Sequence, residues 1–498
     1  MERDEVQTAG GAALEAPWVS AAPDGAQAYA HEAPPQAGLE DLPDTSTDAV
    51  PHVTPGTALQ PLPRHRSPLH PCFAGIRRRI AIISDHASPL DVLGSRDCGG
   101  QNVYVAQLAR ELGRAGHLVD VFTRRDAPDQ RPVVQWTENI RVVHVPAGPP
   151  HHVPKEELLP CIDEFARHVT RFVRRQRGDY DIVHANFFMS GMVAQHLKAT
   201  LGLPFVITFH ALGRVRRRAQ GSADTFPVAR MRIEATLMRA ADRVIAECPQ
   251  DRLDMERLYG APLSRIAIAP CGFAPDELWP VPMREARARL GLDPSRFVVL
   301  QLGRMVPRKG VDTVIQGVAM LRHRHGVDAQ LLVVGGGDGD DGLELARLRS
   351  LATDLGVGAH VRFDGQQPRH LLRDYYSAAD VFASTPWYEP FGITPVEAMA
   401  CARPVVGSEV GGIKSTVSDG HTGFLVPSRD PAALAERLAR LQRQPGLARA
   451  MGDAGRRRAC EHYTWRHVAG QLSAIYAEVL EAKHHAAQAA VQPEPRIP

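Results

Sequence analysis

The chain has 498 residues, of which 44% are hydrophobic and 23% are charged, proportions that are ordinary for a globular protein. This length predicts two or three domains. The formal net charge of +2 argues against a nucleic-acid-binding protein that works through its overall charge, so we expect no nucleic-acid partner. No run of eighteen apolar residues occurs, so we also expect no transmembrane helix.

Residues 1–75 are rich in Ala, Pro, Gly and Asp and show little periodicity, which predicts a disordered N-terminal extension. The first residues are acidic and lack an apolar core, so we expect no secretory signal there. The seven cysteines are scattered singly and include no Cys-x-x-Cys pair, which supports neither a disulfide framework nor a zinc site. These features fit a cytoplasmic protein best.

Apolar runs alternate with helical patterns from residue 79 onward, which predicts a first domain over residues 76–280. The segment from Ile162 to Arg177 is an amphipathic helix pattern; packing against its own domain is the expected use, with peripheral membrane contact as the alternative. The runs interpreted as strands are Arg79–Ile83, Val119–Thr123, Ile140–Val145, Asp181–His184, Phe205–Phe209, Val244–Ala246 and Ile266–Ala269.

A second alternating series predicts a second domain over residues 281–460, joined to the first by a charged helix from Arg284 to Leu290. Its strand-like runs are Phe297–Leu302, Gln330–Val334, Val361–Phe363, Val381–Ala383, Pro404–Val406 and Gly423–Val426. We therefore predict an α/β fold of two doubly wound, Rossmann-like domains that face a central cleft. A last helix is expected within residues 461–482, followed by a disordered tail over 483–498.

The segment from Ser384 to Ile413 is the most informative part of the chain. Glu389 and Glu397 flank a Phe391-Gly392-Ile393 turn that leads into a helix, for which Thr394 is the predicted N-cap. Thr394 and Glu397 have the spacing of a capping box, which needs no ligand. From this spacing alone, the role of Glu397 stays open between a structural cap and a ligand contact.

The whole segment resembles the signature of retaining glycosyltransferases with the GT-B fold. The resemblance implies that Glu389 lies beside the donor sugar and acts in catalysis, and that Glu397 holds the ribose hydroxyls. It also implies that the backbone of Phe391, Gly392 and Ile393 lies along the sugar and the diphosphate. In this family the last helix crosses back onto the first domain.

A glycine pair stands before the helix predicted from Tyr104 to Arg114, where the missing side chains let the backbone approach a phosphate closely. The surrounding string DCGGQNVYV resembles sucrose-phosphate synthases and the inositol-phosphate glycosyltransferases of mycothiol synthesis. This resemblance assigns Gly99 and Gly100 to the donor, and Gln101 and Asn102 to the acceptor.

Two cations follow the strand that ends at Leu302. Arg304 and Lys309 are separated by a Pro-containing turn, so both can converge on the diphosphate leaving group, whose developing charge needs fixed cations. The family resemblance implies the same role for both residues.

A histidine follows a strand of the first domain. His210 comes directly after the run that ends at Phe209, which places it in the cleft because ligands bind at the carboxyl ends of such strands. In the resembled family a His at this place lies beside the reacting sugar. We therefore expect His210 to position the sugar or hydrogen-bond to it, rather than to bind a metal.

Four further cations define the predicted acceptor pocket. The resemblance implies that Lys155, Arg230 and Arg232 bind a phosphate of the acceptor, and that Arg216 supplies another positive charge. An alternative for Arg230 follows from its spacing, since Glu234 lies one helical turn further on and can pair with it.

The chain departs from the family pattern at two positions near this pocket. Phe187 stands where a Tyr is expected, and Ala211 stands where a Ser or Thr would contact the phosphate. Both changes remove a hydroxyl group. A sugar-phosphate, an inositol-phosphate and another hydroxyl acceptor therefore all stay open.

The segment GGDGDD from Gly336 to Asp341 is similar to the Asp-x-Asp metal motif of the other glycosyltransferase fold. Here it is a polar turn between a strand and a helix, and the cations at positions 304 and 309 make a divalent ion unnecessary for the leaving group. We therefore predict no metal and no cofactor, with a UDP-sugar as the donor substrate.

Together these features predict a retaining, metal-independent hexosyltransferase that transfers a hexose, glucose being the first choice, from a UDP-sugar to a small-molecule acceptor. No carboxylate stands out as a nucleophile, which favours front-face attack, with double displacement as the alternative. Two other functions stay open: a UDP-sugar epimerase of the same fold, and a catalytically silent nucleotide-sugar-binding protein.

Overall fold

The structure is a computed structural model that describes residues 76–91, 99–176, 179–336 and 340–491. The predicted N-terminal extension and the Asp338 turn lie outside these residues. The first part of the glycine-loop string, through Cys98, lies outside them as well.

The first lobe is built on an eight-stranded sheet. Its strands are β1 (Arg79–Ile83), β2 (Leu118–Arg124), β3 (Val133–Thr137), β4 (Ile140–Val145), β5 (Ile182–Asn186), β6 (Phe205–Thr208), β7 (Arg243–Ala246) and β8 (Ile266–Ile268). The spatial order is β3-β4-β2-β1-β5-β6-β7-β8, and every pair is parallel except β3 with β4. The strands of the sheet centre are apolar and buried, as parallel strands covered by helices on both faces require.

Strand β3 is the one element of this sheet that the sequence analysis does not predict. It pairs antiparallel with β4 at the sheet edge, and its residues alternate between exposed and half-buried positions. An edge strand with one solvated face carries no continuous apolar run, so the pattern used for the other strands does not detect it.

Helices cover the first sheet and supply the residues at its carboxyl edge. They are α1 (Gly100–Arg114), α2 (Ile162–Arg175), α3 (Phe188–Leu201), α4 (Gly213–Gln220), α5 (Ala229–Ala240) and α6 (Pro249–Tyr259). The apolar face of α2, including Phe165 and Val169, is buried in the core of its own lobe. This is the packing expected for the amphipathic segment.

The second lobe contains a six-stranded, wholly parallel sheet. Its strands are β9 (Phe297–Leu302), β10 (Ala329–Val334), β11 (Val361–Gly365), β12 (Val381–Ser384), β13 (Val405–Ser408) and β14 (Gly423–Val426), in the order β11-β10-β9-β12-β13-β14. The remaining helices are α7 (Met283–Arg289), α8 (Val311–His325), α9 (Asp340–Asp354), α10 (Arg369–Ala378), α11 (Ile393–Ala400), α12 (Ile413–Thr416), α13 (Pro431–Arg443), α14 (Pro445–His462) and α15 (Trp465–Val491).

Helix α15 ties the end of the chain to the first lobe. The Trp465 ring meets Tyr104 of α1 edge-on at 5.5 Å between centroids, and the Tyr476 hydroxyl lies 2.7 Å from Nδ1 of His184 in β5. The helix continues to Val491, so the prediction of a disordered tail from residue 483 is wrong for the first nine residues of that tail. The stretch from Ala486 to Val491 is rich in Ala and Gln, which favour helix even without an apolar stripe. None of the described helices is long and apolar enough to cross a bilayer.

Candidate active site

The two lobes approach each other at the glycine pair that begins α1. A Cβ atom at Gly99 would lie 4.0 Å from Cδ of Arg304, and one at Gly100 would lie 3.6 Å from Cδ1 of Ile393. Any larger side chain would fill the space between the loop and the second lobe. Four residues that the sequence assigns to the donor, two from each lobe, therefore lie close together.

Lys309 and Glu389 form an ion pair in this region. The Lys309 ammonium donates to Oε2 of Glu389, and the two side chains are 22% and 14% exposed. Burial would raise the pKa of Glu389, but the charges of Lys309 and Arg308 lower it below its usual value. Burial also lowers the pKa of Lys309, and Glu389 opposes this effect. A partly exposed pair of this kind can exchange partners when an anion arrives.

Two glycines shape the turn that carries Glu389. Gly392 has φ +92° and Gly411 has φ +44°, a region that L side chains rarely adopt. A Cβ atom at Gly411 would lie 1.8 Å from the carbonyl oxygen of Glu389, so the chains could not approach this closely with any other residue. Phe391 is buried under the turn, edge-on to Tyr463.

Helix α11 begins at Ile393 and follows Gly392, with no side-chain cap. The prediction of Thr394 as the N-cap is therefore wrong, and so is the capping-box interpretation of Glu397. The positive φ of Gly392 turns the chain into the helix two residues earlier than a Thr cap would.

The Glu397 carboxylate has other partners. It accepts hydrogen bonds from the Tyr376 hydroxyl (2.8 Å) and from Nη1 of Arg369 (3.1 Å), and the residue is only 3% exposed. Both partners lie on α10. They hold the carboxylate at a fixed place beside the start of α11, which is the arrangement that a ligand-binding acid needs.

His210 lies just beyond the carboxyl end of β6 and has the left-handed backbone conformation, with φ +58°. For a residue other than Gly this costs about 1–2 kcal/mol. Its Nδ1 is 2.9 Å from Oε1 of Glu247, its Nε2 is 3.0 Å from Oδ1 of Asn186, and the edge of the Tyr104 ring packs against it. The strained backbone and both ring contacts fix the orientation of the imidazole.

Gln101 and Asn102, the residues assigned to the acceptor in the glycine loop, differ in what they contact. Gln101 is half-buried, and its amide donates weakly to Oγ of Ser84 (3.3 Å) at the end of β1. Asn102 is 4% exposed; its Oδ1 accepts from the Gly99 amide (3.0 Å) and its Nδ2 donates to the Ser88 carbonyl (3.0 Å). Asn102 therefore fixes the loop, and the acceptor role of both residues stays a prediction.

Three of the predicted phosphate-binding cations lie on separate elements. Lys155 is half-buried in a 3₁₀ turn, with its ammonium 3.3 Å from Glu156. Arg216 on α4 pairs with Asp224 at 2.7 Å. Arg232 is exposed on α5.

The fourth cation, Arg230, is deeply buried. Its Nε lies 2.7 Å from Glu234, with the two side chains 2% and 0% exposed, so the ion pair expected from their spacing is present. The guanidinium stacks over the rings of Phe187 (4.7 Å) and Phe226 (4.5 Å) and donates to the Ala211 carbonyl. Both positions that depart from the family pattern therefore contact Arg230.

Comparison with known families and proteins identifies the family of the chain. The model of "Glycosyl transferases group 1" matches residues 282–458, and the model of "Glycosyltransferase Family 4" matches residues 98–277. The chain is 38% identical over 407 residues to D-inositol 3-phosphate glycosyltransferase 1 of Catenulispora acidiphila, a match that covers 81% of this chain and 96% of that relative. The chain belongs to the GT-B glycosyltransferases.

Solved structures agree with this assignment. Sucrose-phosphate synthase from Thermosynechococcus elongatus is 34% identical, with a TM-score of 0.76, and the match covers 82% of this glycosyltransferase and all (100%) of that chain. The Anabaena protein HepE in complex with UDP-glucose has a TM-score of 0.65 at 20% identity, covering 81% and 99% of the two chains, which shows the shared fold. These comparisons confirm the predicted fold class and family. They also confirm the prediction of a transferase that binds a nucleotide sugar.

Sequence reasoning missed four residues that surround the predicted ones in this glycosyltransferase: Asn186, Glu247, Arg369 and Tyr376. Asn186 ends β5 and Glu247 directly follows β7, so the carboxyl-end rule that finds His210 could have found them too. Arg369 and Tyr376 lie on α10 and carry no signal in the sequence, because only the tertiary fold brings them to Glu397.

No group of three or more His, Cys, Asp or Glu side chains within the described ranges is arranged to hold a metal ion. The Asp338 turn is not among those residues. The expected independence of a metal therefore stays a prediction.

Proposed function

We propose that this glycosyltransferase transfers a hexose, glucose as the first choice, from a UDP-sugar to a hydroxyl acceptor, with retention of the anomeric configuration and without a divalent metal. The observation that carries this proposal is the approach of Arg304 and of Ile393, the first residue of α11, to the Gly99–Gly100 loop, with Lys309 close enough to Arg304 for the two charges to interact. Two cations and a helix N-terminus around a backbone that lacks side chains form a site for a diphosphate.

Each donor-side residue has a chemical task in this reaction. Arg304 and Lys309 stabilise the negative charge that develops on the diphosphate as its bond to the anomeric carbon breaks. Lys309 turns from Glu389 toward the diphosphate, which frees the Glu389 carboxylate to accept hydrogen bonds from sugar hydroxyls. Glu397, fixed by Arg369 and Tyr376, accepts from the ribose hydroxyls.

The sugar transfer itself takes place on one face of the ring. The acceptor oxygen forms its bond to the anomeric carbon on the side from which the diphosphate leaves, and the acceptor proton passes to a diphosphate oxygen. This front-face route needs no nucleophilic carboxylate and gives retention.

For the acceptor, we propose a phosphorylated sugar or cyclitol. The names of the relatives, D-inositol 3-phosphate glycosyltransferase and sucrose-phosphate synthase, support this class, as do the cations Lys155 and Arg216. An unphosphorylated polyol is the second candidate, because Arg230 is buried and already paired with Glu234, and because Phe187 offers no hydroxyl to a phosphate.

A donor-by-acceptor screen that measures nucleoside diphosphate release tests the proposal. UDP-glucose and GDP-glucose are each combined with inositol 3-phosphate, fructose 6-phosphate and the two unphosphorylated counterparts. Release from UDP-glucose only when an acceptor is present supports transfer, and the matched pairs decide between the two acceptor classes. A new sugar formed without any acceptor would indicate an epimerase, and no turnover with any pair would indicate a silent nucleotide-sugar-binding protein.

A further inference from the structure

The imidazole of His210 lies between two hydrogen-bonding groups of the first lobe. Nδ1 faces the Glu247 carboxylate at 2.9 Å, and Nε2 faces Oδ1 of Asn186 at 3.0 Å. A neutral imidazole has one N–H and can donate to one of them only. The protonation state of His210 therefore depends on whether both groups are acceptors.

The side-chain amide of Asn186 has a defined orientation. Its Nδ2 donates to the backbone carbonyls of Ile83 (3.3 Å) and His184 (3.4 Å), and the residue is fully buried. Because carbonyl oxygens only accept hydrogen bonds, the NH₂ group must face them and the amide oxygen must face His210. The Nε2 atom of His210 consequently carries a hydrogen.

Glu247 is the acceptor at the other ring nitrogen. It is 3% exposed, and its Oε1 also accepts from the Cys271 thiol (3.2 Å), whose pKa is raised by burial. Among the described residues, His210 is the ion-pair partner of Glu247. A buried carboxylate needs an opposite charge, and an imidazolium supplies it.

Burial displaces the pKa values of other titratable groups around this pair toward their uncharged forms. Asp251 accepts a hydrogen bond from the Glu247 amide (3.1 Å), and burial together with the Glu247 charge raises its pKa. Burial lowers the pKa of His184 to about 3, with a further contribution from His210. Burial also raises the pKa of Tyr104, whose ring edge packs on His210. The pair of Glu247 and His210 is thus surrounded by groups whose burial favours the uncharged form.

We propose that Glu247 is a positioning residue that holds His210 in the doubly protonated form, so that its Nε2–H is a cationic hydrogen-bond donor to an oxygen of the bound sugar and not a general base. Asn186 holds this N–H until the sugar arrives. The identity of the ligand as a sugar rests on the proposed function, whereas the charge state of the pair rests on the contacts alone.

The test combines nitrogen NMR with kinetics. The full-length protein is labelled with ¹⁵N-histidine, and the His210 signals are assigned by their loss in His210→Gln. In the wild type at neutral pH, both ring nitrogens should have the shifts of protonated nitrogens. In Glu247→Gln, one nitrogen should lose its proton, and turnover of UDP-glucose should fall on the order of tenfold with KM for the donor within about twofold.

Two further variants separate positioning from simple damage to the fold. Glu247→Asp keeps the negative charge and should restore the doubly protonated signal. Asp251→Asn keeps a neutral acceptor for the Glu247 amide and should leave both the NMR signals and the turnover unchanged. A wild-type His210 with one unprotonated nitrogen, or signals that do not change in Glu247→Gln, would overturn the inference.

The two proposals can fail separately. If His210 is doubly protonated but no donor and acceptor pair gives UDP release, the proposed function is wrong and the charge state of the pair stands. If transfer is observed while His210 is neutral, the charge pair is wrong and the function stands.

Discussion

Two ion pairs of this glycosyltransferase have similar chemistry but different surroundings. Lys309 and Glu389 lie at the meeting point of the lobes, with side chains 22% and 14% exposed. Arg230 and Glu234 lie inside the first lobe, 2% and 0% exposed, where Glu234 also accepts from the Gly213 amide and the Tyr259 hydroxyl. The members of the first pair are joined by a hydrogen bond, whereas the second pair is part of a network.

This difference indicates which pair can bind a ligand. Exchanging Glu389 for a diphosphate costs Lys309 little, because the pair is partly hydrated and a dianion attracts the ammonium more strongly. Separating Arg230 from Glu234 would leave two desolvated charges without their partners. The pair between the lobes therefore suits binding, and the buried pair suits a structural role.

Replacing Glu234 with Ala should have the largest effect on stability. The change leaves the Arg230 charge buried without its partner, so we expect the free energy of unfolding to fall by about 3–5 kcal/mol. Urea denaturation followed by circular dichroism measures this. The double variant Arg230→Met with Glu234→Leu removes both charges and should recover much of the loss; a single variant as stable as the wild type would show that the buried pair has no structural role.

Replacing Lys309 with Ala tests the pair that lies between the lobes. Loss of one cation that stabilises the leaving diphosphate should lower UDP-sugar turnover about 10²–10³-fold and change stability little. Lys198 is a matched control, since it pairs with Asp242 at 2.8 Å and its side chain is 38% exposed, so Lys198→Ala should keep full turnover. Turnover of Lys309→Ala within twofold of the wild type would contradict the diphosphate assignment.

Much of the fold, including the buried ion pair, follows from patterns of residues that are close together in the sequence. The strands of both sheets, apart from β3, follow from apolar runs because parallel strands are buried on both faces. The Arg230–Glu234 pair follows from i,i+4 spacing on one helix. These two features are predictable because the residues that determine them are close together in the sequence.

The site is predictable only in part, because its partners come from distant segments. Glu389 pairs with Lys309 eighty residues away, and Glu397 is held by residues of α10 that no motif marks. The local pattern around Glu397 even favours a capping box, and the tertiary contacts to Arg369 and Tyr376 override it. Motif resemblance marks candidate side chains, and the structure shows what each one contacts.

The buried His184, which has no charged partner among the residues described, differs from both ion pairs because it should make the stability of the protein depend on pH. His184 is fully buried between the Thr208 and Tyr476 hydroxyls, and burial lowers its pKa from 6.5 to about 3. Between these two values the unfolded chain binds a proton that the folded chain does not. The contribution of His184 to the free energy of unfolding is therefore complete above pH 6.5. It falls by about 1.4 kcal/mol per pH unit as the pH decreases through this window.

The variant His184→Gln separates the effect of His184 on the pH dependence of stability from the effect of the carboxylates. Gln keeps hydrogen-bonding groups but does not titrate, so between pH 6.5 and pH 5 the wild type should lose about 2 kcal/mol more stability than the variant. Urea unfolding at both pH values measures the difference. Equal losses in the two proteins would mean that His184 is not held neutral in the folded state.

The pair of Glu397 and Arg369 is intermediate in exposure between the two ion pairs compared above, since Glu397 is buried like Glu234 but Arg369 is 19% exposed. If it belongs with the ligand-binding pair, Tyr376→Phe should raise KM for the UDP-sugar about fivefold, the effect of one hydrogen bond of about 1 kcal/mol, with kcat nearly unchanged. The neighbouring Tyr375 is the matched control, because its hydroxyl binds Asp364 at 2.8 Å, so Tyr375→Phe should keep the wild-type KM. A Tyr376→Phe variant with lowered stability and normal KM would instead place Glu397 with the structural pair, since its carboxylate would then serve the fold and not the donor.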